Sequence, residues 1–119
     1  MEKAKEDLSS AKVLFENKFY KQSVNRSYYS VFNATRAVLA IDNFDSKKHS
    51  GIIAYFNQHY IANHRIEAEF SKILMGAQKI RNSSDYDDFY IVSKEEANDQ
   101  IKNAEKYINR MEVFLSQIS

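Results

Sequence analysis

The chain has 119 residues, 44% of them hydrophobic and 28% charged, enough for one domain around one core and too short for two. Seventeen basic and sixteen acidic side chains leave a formal charge of +1, which excludes a general attraction to polyanions; any nucleic-acid role has to rest on a local patch. There is no cysteine, so disulfide and thiol chemistry are excluded and a zinc site would have to be built from His, Asp and Glu.

The run Met1-Glu2-Lys3-Ala4-Lys5-Glu6-Asp7 is charged and lacks the apolar stretch of a signal peptide. Ala4, Leu8, Ala11 and Phe15 then recur at helical spacing and predict a first helix over residues 2–17. A second is expected from Tyr20 to Asp42, with Val24, Tyr28, Val31, Thr35 and Val38 on one face, widened by Phe32 and Leu39. Asp45-Ser46 offers an N-cap for a third helix carrying His49, Ile52, Ile53, Phe56 and Tyr60. The fourth spans Ile66 to Ser84. Ser93-Lys94-Glu95-Glu96 reads as a capping box, in which Ser and Glu satisfy each other's orphan amides. It opens a fifth helix whose apolar line is Ala97, Ile101, Ala104, Ile108, Met111, Leu115 and Ile118.

Proline is absent and glycine occurs only twice, so the turn chemistry of a sheet-rich fold is missing. No stretch approaches the ~20 apolar residues of a membrane span. The expectation is a single domain over residues 1–119, an all-α, up-and-down bundle of four to five helices, cytoplasmic and without membrane contact.

Arg81 departs from this pattern. In a helix it falls within about 40° of Phe70, Leu74 and Ala77, on the line of an apolar stripe. A guanidinium cannot shed its charge, so one aimed at a core needs a carboxylate, a phosphate or several carbonyls. The acidic segment just beyond it, Asp85-Tyr86-Asp87-Asp88, suggests either a structural ion pair with Asp85 or the rim of a polar pocket.

A second polar stripe lies on the second helix, where Arg26, Tyr29, Asn33 and Arg36 follow one another at three- or four-residue steps. Two guanidiniums, a phenol and an amide on one line suit a phosphate backbone and a stacked base. The plainer reading is a solvated face whose long side chains cover apolar surface. His49, before the Ile52–Ile53 pair, most simply closes a helix end or makes a core hydrogen bond. His59 and His64 are five apart, the wrong spacing for ligands on one helical face. Asp85, Asp87 and Asp88 lack a matching histidine motif, so no metal site and no cofactor are expected.

The run Tyr20-Lys21-Gln22-Ser23-Val24-Asn25-Arg26-Ser27-Tyr28-Tyr29-Ser30-Val31-Phe32-Asn33-Ala34-Thr35-Arg36-Ala37 resembles the second helix of HEPN domains, in particular the branch known as uncharacterised protein family 0332 (UPF0332). His49-Ser50-Gly51 followed by Phe56 and Tyr60, then Arg81 to Tyr86, then the helix opening Ser-x-Glu-Glu-Ala, fit that branch in order. The resemblance implies a small helical bundle that dimerises. It also implies an RNA- or nucleotide-directed role, as a toxin paired with a small nucleotidyltransferase that can modify a tyrosine near the site. The family's catalytic arginine maps onto Arg81 and the residue after it onto Asn82. The family's histidine, four to six intervening residues later, does not map, because Tyr86, Asp87 and Asp88 stand there.

Metal-independent RNA cleavage by 2′-hydroxyl attack needs proton transfer near neutral pH, for which imidazole is suited. Two functional expectations follow. One is a catalytically degenerate homodimer that presents Arg81, Asn82 and the Arg26, Tyr29, Asn33, Arg36 stripe to a nucleotide, an RNA or a transferase partner. The other is a metal-independent ribonuclease toxin in which Arg81 stabilises phosphate charge and Asp85 or Tyr86 replaces the histidine. With eight Tyr and eight Phe, the aromatic content exceeds what one small core holds, which leaves apolar surface for a partner to cover.

Overall fold

The computed structural model describes residues 1–118. It is an all-helical, up-and-down bundle of five helices: α1 (Glu2–Glu16), α2 (Tyr20–Leu39), α3 (His49–Phe56), α4 (Ala68–Tyr86) and α5 (Lys94–Ile118). No strand occurs among the described residues.

Helix α2 is the central element, packed against α1, α3, α4 and α5. Its sequence explains the position. Ser23, Ser27, Ser30 and Ala34 are small and buried, so neighbouring backbones come close, while Val24, Tyr28, Val31, Val38 and Leu39 fill the gaps between them. On α1 the matching small residues are Ala4 and Ala11, both fully buried. Ser23 Oγ donates to the carbonyl of Ala11 at 2.8 Å, which fixes the register of this hairpin.

The hairpin turns on Lys18, whose φ of 65° lies in the left-handed region. The Phe19 amide closes it onto the Leu14 carbonyl at 2.9 Å, the bond that usually accompanies a glycine in this place. Asn43 (φ 55°) ends a 3₁₀ extension of α2 over Ala40–Asp42 in the same way. Scarcity of glycine therefore does not mean scarcity of tight helix ends. Lysine and asparagine take those positions, at some conformational cost for the lysine.

The core is aromatic. Tyr28, Tyr60, Tyr107 and Phe56 are fully buried together with Leu39, Ile52, Ile66, Leu74 and Met111. Buried phenols need partners. Thr35 Oγ1 donates to the Val31 carbonyl at 2.9 Å and so has its lone pairs free for Tyr107 Oη, 2.5 Å away. Tyr60 Oη donates to Asp42 at 2.7 Å, which ties the segment after α3 to the end of α2.

Two helix starts and one cap differ from the expected ones. Helix α3 starts at His49, because Asp45 and Ser46 turn on themselves: Asp45 accepts the Ser46 amide and Ser46 Oγ accepts the Lys48 amide. Helix α4 starts at Ala68, and Ile66 is a buried residue of the link that mimics helical periodicity. The capping box is half made. Ser93 Oγ accepts the Glu96 amide at 3.0 Å, but the Glu96 carboxylate accepts the Tyr90 hydroxyl at 2.8 Å and pins the preceding loop instead.

Candidate functional site

Phe70, Leu74 and Ala77 of α4 are buried, and Arg81 continues their line one turn later with its side chain 18% exposed. It meets α2 at the adjacent tyrosines. The guanidinium carbon lies 5.4 Å from the Tyr28 ring centre and 5.3 Å from that of Tyr29. Nη2 donates to Tyr29 Oη at 3.3 Å, a long bond. Asp85, one turn along α4, places a carboxylate oxygen 3.0 Å from Nε, an ion pair too poorly aligned to count as a hydrogen bond. A guanidinium has five N–H donors. This one spends a single donor on a hydrogen bond, and its buried Nε–H has none. Ser84 Oγ, also buried and on the same side of α4, lacks a partner too.

Tyr29 is shared. Arg26 lies over it with its guanidinium carbon at 5.0 Å, so the ring is contacted by two arginines. Arg26 is itself paired with Asp7 at 3.3 Å, and Asn33 Nδ2 donates to the other oxygen of that carboxylate at 2.7 Å. Asp7 is only 5% exposed. Arg36 makes a two-pronged contact with Asp45, Nε at 3.2 Å and Nη2 at 2.8 Å, and those bonds hold the Asp45 carboxyl below its usual range. Three of the four stripe residues thus have structural employment. Arg26 and Asn33 clamp α1 through Asp7, Arg36 clamps the segment before α3, and Tyr29 faces Arg81.

Asn82 is exposed beside Arg81, and Tyr86 at the end of α4 is 79% exposed, in line with Phe89 and Ile91 of the following loop. The structure brings together Arg81, Asp85 and Tyr29. It leaves Tyr86 outside this contact.

Sequence reasoning placed no functional role on His49 or Tyr28, and here the structure adds most. Tyr28 Oη and His49 Nδ1 share a hydrogen bond of 2.9 Å across 21 residues of sequence. The imidazole lies against Phe32 at 4.1 Å between ring centres, and at 5.8 and 5.9 Å from Tyr28 and Tyr29. His49 and Arg81 therefore pack against the same two tyrosines. Burial holds His49 below the usual imidazole value, and the positive charges of Arg81 and Arg36 push the same way. Burial also pushes the Tyr28 phenol up to about 12, against the opposing pull of Arg81. At neutral pH the pair is an uncharged imidazole and an uncharged phenol.

A cavity of about 450 Å³ opens beside this histidine, lined by Phe32, Arg36, Asp45, Ser46, Lys47 and His49. Its wall folds over the start of α3 because Gly51 allows it: a Cβ there would stand 2.5 Å from Ser46 Oγ. The cavity combines an aromatic ring, two cations, one carboxylate and an imidazole, a donor set suited to a ribose phosphate more than to an apolar ligand. Among the described residues no group of three His, Asp or Glu side chains is arranged to hold a metal ion, and no helix is long and apolar enough to cross a membrane.

Comparison with known sequences bears on the same residues. The family described as HEPN domain matches residues 1–114. Two proteins of Methanocaldococcus jannaschii, each named "Putative toxin", are similar over nearly the whole chain. One is 36% identical across 99% of this chain and 87% of its own length. The other is 30% identical across 97% and 78%. A protein of Gloeobacter violaceus named as a UPF0332 protein is 38% identical over 72% of this chain and 68% of its own.

Proposed function

Because this chain belongs to the HEPN domain family, we propose that it is a nucleotide- and RNA-binding module of the toxin type, with Arg81 as its phosphate contact. One observation carries the reading. Arg81 is held in place by two tyrosines and Asp85, yet it keeps most of its N–H donors uncommitted at a partly open position. A structural arginine buried to this degree normally spends its donors on the protein. A phosphodiester oxygen would complete the set, with Asn82 exposed beside it and Tyr29 offering a ring edge.

The toxin names carried by relatives that match almost end to end support this assignment. The proposal extends to this chain the pairing with a small nucleotidyltransferase that the resemblance implies. The homodimer expected of the family has apolar side chains available in Phe89 and Ile91, exposed beyond α4. On motif positions alone the module binds without cutting, because Tyr86, Asp87 and Asp88 occupy the places of the family histidine.

A second reading, a metal-independent ribonuclease with a rearranged site around Arg81, is favoured by a specific observation: a neutral imidazole, His49, packs against the same tyrosines as Arg81.

The test of the first reading is binding of a short single-stranded RNA followed by fluorescence anisotropy. Losing one charged hydrogen-bonding contact costs about 1.5–3 kcal/mol, so Arg81→Ala is expected to weaken binding by roughly ten- to a hundredfold. Equal affinity of the two proteins would remove Arg81 from the site.

A further inference from the structure

We propose that the outer face of α4 is a second RNA contact, a sequence-independent groove in which Lys72 and Lys79 hold two phosphates of a single strand laid over Gly76. This rests on the reading of the chain as an RNA-binding module. It adds to Arg81 a site on the other side of the same helix.

Lys72, Gly76, Lys79 and Ser83 follow one another at steps of four, three and four, so they share one stripe of α4. That stripe points away from the core, roughly opposite to Arg81, which faces α2. Asn82 stands on the flank between the two and is exposed. The groove along the stripe has a volume of about 640 Å³ and is lined by Lys72, Met75, Gly76, Lys79, Asn82 and Ser83 among others.

Gly76 has no reason within the chain to be glycine. Only proline forms helix less readily, and Gly76 sits in the middle of α4. Its φ is not positive, so the backbone does not require it. A Cβ there would meet no atom within 4 Å, so no neighbour requires it either. What the glycine provides is a floor at the level of the backbone, open to close approach from outside.

Charge selects the ligand. Between Glu69 and Asp85 the sequence has no acidic side chain. Those two carboxylates are already held, by Lys106 at 2.8 Å and by Arg81 at 3.0 Å. Lys5, Lys12, Lys106 and Arg110 each face a glutamate, whereas Lys72 and Lys79 make no ion pair among the described residues. They lie two turns apart, about 10 Å along the axis, a separation that suits an extended polyanion better than one compact anion. This is the local patch that RNA binding requires of a chain with a net charge of +1.

Met75, 51% exposed, gives the groove an apolar wall for a ribose or a base. Ser71 Oγ donates to Asn57 Oδ1 at 2.6 Å, and Asn57 Nδ2 reaches Met75 Sδ at 3.8 Å, so the wall is tied to the segment after α3. A second copy of the chain fits this face poorly. Packed antiparallel about Gly76, it would bring the lysines of the two copies together, because Lys72 and Lys79 lie almost symmetrically about the glycine.

The experiment measures binding of a short, labelled 2′-O-methyl RNA by fluorescence anisotropy, between about 50 and 200 mM salt. Each phosphate contact on a single strand contributes about 0.7 to the slope of log affinity against log salt, so Lys72→Gln/Lys79→Gln should flatten that slope by about 1.4. Lys12→Gln/Lys102→Gln removes the same charge from α1 and α5 and should leave the slope as in wild type. Gly76→Gln should melt a few degrees higher, since a better helix former replaces glycine, and yet bind the RNA more weakly, since its side chain fills the groove.

Equal slopes in the two double variants overturn the proposal, as does a Gly76→Gln protein that binds RNA as tightly as wild type. A wild-type dimer that Gly76→Gln or Lys72→Gln/Lys79→Gln alters, with RNA binding untouched, would give the face to a second copy instead. Arg81→Ala decides the underlying reading separately. If it binds as tightly as wild type while the groove variants weaken, Arg81 leaves the site and the groove stands.

Discussion

Tyr28 Oη and His49 Nδ1 are 2.9 Å apart, a bond that joins the central helix to the first turn of α3 and holds the imidazole against Phe32. Arg81 packs against the same tyrosine, its guanidinium carbon 5.4 Å from the ring centre. Burial first, and then the positive charges of Arg81 and Arg36, hold the His49 imidazole below its usual value.

That has a pH consequence. His49 has a folded pKa below its unfolded value, so between the two the unfolded chain binds more protons than the folded one. This group's stability contribution is fully present above the unfolded imidazole value of about 6.5 and is lost as pH falls through the folded value. Urea midpoints measured from pH 8 to pH 5 should fall on the acid side by more in wild type than in His49→Gln. Parallel curves would show that His49 does not titrate as described.

Thr35 and Tyr107 form an asymmetric pair. Tyr107→Phe leaves Thr35 still donating to Val31, whereas Thr35→Val leaves the fully buried Tyr107 hydroxyl with nothing. Removing a hydrogen bond cleanly costs about 0.5–1.5 kcal/mol, while orphaning a buried polar group costs about 1–3 kcal/mol. Thr35→Val should therefore be the more destabilising change in chemical denaturation. The reverse order would mean that the phenol finds another partner.

Asn33, expected on a ligand-facing stripe, donates to Asp7 at 2.7 Å. Asn33→Ala leaves that nearly buried carboxylate with only the 3.3 Å contact to Arg26 and should cost about 1–3 kcal/mol of stability. Melting temperature is the readout. An unchanged value together with weakened RNA binding would return Asn33 to the interface.

How much of this was legible in the sequence differs from residue to residue. The five helices were, because Ala97 to Met111 and Val24 to Val38 repeat cleanly at helical spacing and no glycine or proline interrupts them. Arg81 was, because a charge on an apolar line is a local anomaly visible without coordinates. The partners of the Arg26–Arg36 stripe were not. Asp7 lies 26 residues from Asn33 on another helix, and only the α1–α2 packing brings it there. His49 was hidden for a similar reason. Its neighbours Tyr28, Phe32 and Arg81 come from two other helices, and a lone histidine before two isoleucines reads as packing. A pair of adjacent tyrosines on α2 was the one available signal, but in a chain this rich in aromatics it did not stand out.

Arg81→Ala separates a structural role from a functional one. The Asp85 side chain is 28% exposed, so the carboxylate left behind can rehydrate, and an i,i+4 pair of this kind is worth only about 0.3–0.5 kcal/mol. The melting temperature should fall by a few degrees at most. A larger loss would make Arg81 a tether of α4.

The most direct test of Arg81 as the phosphate contact is to follow arginine side-chain Nε–H resonances by NMR while a short 2′-O-methyl RNA is added. The Arg81 signal should move far more than those of Arg26 and Arg36, whose guanidiniums are already paired with Asp7 and Asp45. An Arg81 signal that stays still while RNA binds elsewhere would contradict the account.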